Sequence, residues 1–104
     1  MALTDTEQDE ITAVMRLLAA EGPTLGRPFV DRVTTSKFHN MKELRPRGGA
    51  KHIRILFIFD PRRAAVLLLG GNKEGQWDRW YRRAVPQADS RYERYRREVG
   101  LDDP

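Results

Sequence analysis

The chain has 104 residues, no cysteine and a formal net charge of +4. Its length suits one domain with a modest core, and the lack of cysteine excludes disulfides and thiolate metal sites. Hydrophobic content of 39% in periodic segments argues against disorder. No apolar run approaches the roughly 18 to 20 residues that span a bilayer, and the acidic start TDTEQDE lacks a secretory pattern, so a cytoplasmic protein is the default.

Thr4 and Glu7 have capping-box spacing. Ile11, Val14, Met15 and Leu18 then recur at helical intervals, which predicts an amphipathic helix over 5–20, stopped by Gly22 and Pro23. Residues 28–33 suit a short second helix or turn packing through Phe29 and Val33. Residues 36–45 read as a strand of mixed character, ended by Pro46 and a Gly48-Gly49 turn.

Residues 52–59 alternate: Ile53, Ile55, Phe57 and Phe59 share one face, while Arg54, Leu56 and Ile58 share the other. Asp60-Pro61 opens a tight turn. Ala64–Leu69 is an apolar run that fits a central strand, closed by Gly70-Gly71-Asn72. From Gly75 the period changes. Trp77, Trp80, Tyr81 and Ala84 form one helical face. Pro86 interrupts, and Ala88, Tyr92, Tyr95 and Val99 resume the spacing before Gly100. The expected architecture is one α+β domain: a small antiparallel meander of three strands between N-terminal and C-terminal helices.

Charge is unevenly spread. Residues 1–21 carry five acids and one base, whereas residues 42–63 carry seven bases against two acids. An anionic partner should therefore face the C-terminal two-thirds. Lys42, Arg45, Lys51, Arg62 and Arg63 stand where strands end and turns begin, as phosphate-gripping residues would. For Arg62 and Arg63 the plain alternative is solvation, and for Arg45 a salt bridge to the first helix. Arg54 shares its strand face with Leu56 and Ile58, so partial burial and an anionic partner are expected: Glu43 or another acid of the neighbouring strand, or a ligand. GGNKEG lacks Walker spacing and reads as a strand-to-helix turn that presents Lys73 as a mobile point charge. His39 and His52 have no metal-ligand spacing. His52, two residues from Arg54, keeps a minor claim as a proton-transfer group. Trp77, Trp80 and Tyr81 read as core contacts before base-stacking platforms, with the Tyr81 phenol free to turn outward.

The string from Leu18 to Val30 (with Gly22, Pro23, Leu25, Arg27 and Pro28) resembles the Gp49-like, HigB-type branch of the RelE/ParE toxin superfamily. The match continues through KELRP, the run from Ile53 to Lys73, Trp80-Tyr81, Pro86, Ala88-Asp89 and Tyr92. The resemblance implies a RelE-like fold, neutralisation by a cognate helix-turn-helix (HigA/Xre-like) antitoxin, and metal-independent, ribosome-dependent cleavage of mRNA without cofactors. Arg54 matches the strand arginine of that site, Lys73 the basic residue after the last strand, and Tyr81 an aromatic in the following helix. A basic pair on the preceding strand is replaced by Met41 and Glu43. Glu43 then acts as general base or pairs with Arg54. Family members usually begin with an extra strand ahead of the segment matching 5–20, which the chain is expected to lack. Two further readings stay open: a non-catalytic ParE-like gyrase inhibitor, and an inactive relative serving as a partner- or RNA-binding module.

Overall fold

The computed structural model describes residues 3–47 and 51–101. Helix α1, Asp5–Glu21, starts with the reciprocal cap written in its sequence: Thr4 Oγ1 accepts the Glu7 N–H at 3.1 Å, and Glu7 Oε1 accepts the Thr4 N–H at 2.9 Å. Of its apolar stripe, Val14 and Leu18 are buried and Met15 stays exposed. A 3-10 turn at Gly22–Thr24 ends the helix.

Four antiparallel strands follow in spatial and chain order: β1 Val30–Arg32, β2 Lys42–Leu44, β3 Ile53–Phe59 and β4 Ala65–Asn72. The segment expected as a second helix or turn thus holds a fourth strand, β1, which pairs Asp31 with Glu43. Three residues are too few to display a strand period. The strand expected over 36–45 shrinks to 42–44 for a specific reason. The buried Asp89 carboxylate of the C-terminal helix accepts from Ser36 Oγ and the Lys37 N–H, and Ser36 Oγ accepts the Phe38 N–H. Those groups are tied to side chains and lost to a ladder. The expected Gly48-Gly49 turn lies outside the described residues.

The alternation of β3 decides which layer each side chain joins. Ile55, Phe57 and Phe59 face α1, with Leu44 and Val30. Leu56 and Ile58 face the C-terminal helix α2, Trp77–Glu98, with Met41, Trp80, Ala84, Ala88 and Tyr92. β4 is an edge strand rather than a central one. It runs through Gly70 and Gly71 instead of turning there, pairing Gly71 with Arg54. An irregularity sets Leu67 opposite Phe57 and Leu69 opposite Leu56, so Leu68 is the extra residue. Both Leu68 and Leu69 then reach the α2 layer.

α2 passes through Pro86 unbroken, where two helices were expected. An interior proline costs ~3 kcal/mol. The buried stripe Trp80, Ala84, Ala88 and Tyr92 keeps i+4 spacing across it, and docking of that stripe on the sheet offsets the cost.

Candidate active site

The pairings Asp31–Glu43, Glu43–Leu56 and Arg54–Gly71 bring acids and bases of β1, β2 and β3 onto the α2 face of the sheet. Glu43 is at their centre and only 3% exposed. Such a carboxylate needs partners, and it has three. The Tyr81 phenol of α2 donates to it at 2.7 Å from Oε1 and 3.0 Å from Oε2. Arg45 Nε donates to Oε2 at 3.0 Å. Arg54 Nε lies 3.4 Å from the same oxygen, inside ion-pair range but without hydrogen-bond geometry. Arg54 is held from behind, since its Nη1 donates to the Lys51 and Ile53 carbonyls, each at 2.8 Å.

Arg45 also pairs with Asp31 at 3.2 Å, so its anions are Glu43 and a β1 residue, not the first helix. The Arg32 backbone N–H keeps the Asp31 carboxyl below its ordinary value, with Arg27 and Arg45 adding to the effect. Burial, then the hydrogen bond to Glu43, pushes the Tyr81 phenol up to about 12.

Lys73 follows β4 directly and closes the cluster. It is buried, with its Nζ 3.5 Å from the centre of the Trp77 ring and 5.9 Å from that of Tyr81. It is therefore a fixed charge between two aromatic rings rather than a mobile one. Burial, and secondly Arg54, holds its ammonium below the usual lysine value. The approach of α2 to this end of the sheet requires Gly71, because a Cβ there would meet Trp80 Nε1 at 2.5 Å.

Glu43, Arg45 and Tyr81 open into a groove of about 690 Å³ between the β1–β2 edge and α2, rimmed by Arg32, Asp78 and Arg82. The remaining sequence-selected residues fall elsewhere. Lys42 points to the α1 face, its Nζ 5.8 Å from the Phe59 ring centre. Arg62 is tied to Asp60 and the Tyr95 hydroxyl in the β3–β4 turn. Arg63 is exposed in the same turn with φ +66°. From Arg54 to that turn is roughly 17 Å along the strand, so the pair does not join the cluster. Lys51 is exposed and contributes its carbonyl to Arg54. His52 sits edge-on to Trp77 at 6.4 Å and does not touch Glu43. Met41 is fully buried in the core. Sequence reasoning missed Arg32 and Arg82: the first depends on the unforeseen β1, and the second is one step beyond Tyr81 on a helix read for its apolar face. No group of three or more His, Asp or Glu side chains among the described residues could hold a metal ion, and none of their helices is long and apolar enough to cross a membrane.

A short antiparallel sheet clasped between two helices, with arginines around a buried glutamate at one end, is an α+β fold of the RelE-like kind. The chain belongs to the phage-derived Gp49-like family, whose family model matches residues 1–93. It is 56% identical over 94 residues to "Putative toxin HigB3" of Mycobacterium tuberculosis, covering 90% of this chain and 81% of that protein. It is 47% identical over 90 residues to "Putative toxin HigB2" of the same organism, covering 85% of this chain and 45% of the relative. No solved structure matches the chain.

Proposed function

We propose that the protein is the toxin of a type II toxin–antitoxin pair and acts as a ribosome-dependent mRNA endonuclease. The observation that carries this reading is the buried Glu43 carboxylate held jointly by Tyr81, Arg45 and Arg54, with the Lys73 ammonium beside them. A base, a proton donor and fixed cations are what cleavage at an RNA phosphate requires. The family and the names of its relatives support the same reading.

In this mechanism Glu43 takes the proton of the ribose 2′-hydroxyl. The 2′-oxygen bonds to phosphorus as the bond to the 5′-oxygen breaks, leaving a 2′,3′-cyclic phosphate. Arg54 and Lys73 stabilise the charge that builds on the phosphoryl oxygens. Tyr81, neutral well above physiological pH, gives its proton to the 5′-oxygen, and the proton on Glu43 returns to the phenol along their hydrogen bond. Oε2 of Glu43 already meets Tyr81, Arg45 and Arg54, so a hydroxyl that reaches this oxygen from the groove displaces a partner. Arg45 is the partner that moves, because its side chain is 33% exposed at the groove.

The ribosome supplies the mRNA and places the reaction in the cytoplasm. A helix-turn-helix antitoxin is the expected neutralising partner. The test is inducible expression with mapping of mRNA 5′ ends, comparing a translated message with one lacking its start codon. New ends in the translated message alone support the proposal. Growth arrest with both messages intact overturns it.

A further inference from the structure

Trp77 is 59% exposed, although it opens a helix whose next aromatic, Trp80, is buried. Its backbone has φ +29°, a conformation that non-glycine residues adopt at a cost and that surrounding structure must impose. Two contacts fix the ring: Lys73 Nζ at 3.5 Å from its centre, and the His52 ring edge-on at 6.4 Å. The rest of the indole faces solvent. A protein-binding hot spot would sit among other apolar groups that exclude water. Here the ring's two fixed neighbours are Lys73 and His52. Among the described residues the other large exposed apolar side chains lie on other parts of the fold: Met15 on α1, Leu67 on the α1 face of β4, and Val99 past the far end of α2.

We propose that Trp77 is a nucleobase platform, stacking an unpaired base of a single-stranded RNA whose adjoining phosphate faces Lys73. The inference rests on RNA as the substrate and assigns a contact outside the reacting groups. Lys73 lies between the Trp77 ring and the Tyr81 ring, so the platform and the Glu43–Tyr81 cluster flank one cation. A nucleotide with its phosphate at that cation sets a neighbouring base against the indole. Stacking on an aromatic side chain tolerates any base, because every base offers a π face.

The probe is a fluorescently labelled 2′-O-methyl pentaribonucleotide, which lacks the attacking hydroxyl and cannot be cleaved by this route. Binding to the full chain is read by anisotropy at low salt. Trp77→Ala should weaken it roughly 5- to 150-fold, the span of one base stack. Trp77→Phe should retain most of the affinity, and an oligonucleotide with abasic positions should bind the unaltered chain as weakly as the normal one binds Trp77→Ala. Circular dichroism melting accompanies each variant. Equal affinity of Trp77→Ala and the unaltered chain overturns the platform, as do undiminished binding of the abasic probe and failure of the unaltered chain to bind saturably. Loss of antitoxin binding in Trp77→Ala with RNA affinity unchanged would assign the ring to a protein interface instead. Binding through Trp77 by a chain that cleaves no translated mRNA would remove the endonuclease reading and leave the platform standing.

Discussion

Tyr81 and Glu43 are 38 residues apart in sequence, and the phenol of one donates to both carboxylate oxygens of the other, at 2.7 and 3.0 Å. The contact joins α2 to β2 across the end of the sheet. The phenol supplies the proton of this hydrogen bond, and Arg45 and Arg54 face the carboxylate that accepts it.

The phenol is pushed up to about 12 by burial and by Glu43. An unfolded tyrosine titrates near ~10, so the folded value is the higher one. The stabilisation from this contact is therefore complete below pH ~10 and is lost as pH rises through about 12. Ultraviolet titration of the phenols, with Tyr81→Phe subtracted, should show one phenol ionising near that upper value. Ionisation of Tyr81 near pH ~10 would contradict the hydrogen bond and the proposal that Tyr81 is the proton donor.

Glu43→Gln should separate charge from shape. The amide fills the same volume but gives Arg54 and Arg45 no anion. Stability should fall by on the order of 2 kcal/mol, the scale of a lost charged hydrogen bond, read as a lower urea midpoint at unchanged slope. If Glu43 is the base, mRNA cleavage should fall by at least about 10². Full cleavage by a folded Glu43→Gln protein would move that role elsewhere.

Much of this arrangement was legible in the sequence, and the failures have physical causes. The α1 cap and the two faces of β3 follow from spacing, because local rules govern them; that Arg54 needs an anion follows from its half-apolar face, and Glu43 is one of the acids open to it. β1 was hidden by its length. The loop before β2 looks like strand in the sequence because its hydrogen-bond partner, Asp89, is more than 50 residues away. Pro86 suggested a break that the continuous buried stripe overrides. At the site, residue types on β2 and β3 signalled the cluster. The groove and the exposure of Trp77 depend on how α2 lies across the sheet, which no local pattern encodes.

Arg54 and Lys73 should differ in weight. Arg54→Ala removes a guanidinium anchored by two carbonyls and aimed at the site, and it should lower cleavage by about 10²–10³. Lys73→Ala should lower it less, because an ammonium is a single point charge where the guanidinium is a planar donor fork, while Arg97→Ala, an exposed substitution near the far end of α2, should have no effect. Rates of mRNA cleavage in translation extracts, normalised to folded protein, check the order. Equal losses in Lys73→Ala and Arg97→Ala would reduce Lys73 to general basic surface.

Gly71 tests whether the close approach of α2 matters. A Cβ at Gly71 would meet Trp80 Nε1 at 2.5 Å and two further ring atoms at 3.0 Å, whereas a Cβ at Gly70 meets nothing nearer than Ile55 Cγ1 at 3.7 Å. Trp80 is 8% exposed and packed among core residues, so it cannot swing away freely. Gly71→Ala should cost about 1–3 kcal/mol, the scale of overpacking, and Gly70→Ala close to nothing by comparison. Displacing Trp80 also shifts Tyr81, whose ring meets it edge-on at 5.0 Å. Gly71→Ala should therefore lower cleavage beyond its effect on the folded fraction. Matching urea midpoints for the two alanine variants would show that α2 can move off this end of the sheet at no cost, and the site would then owe nothing to the Gly71–Trp80 contact.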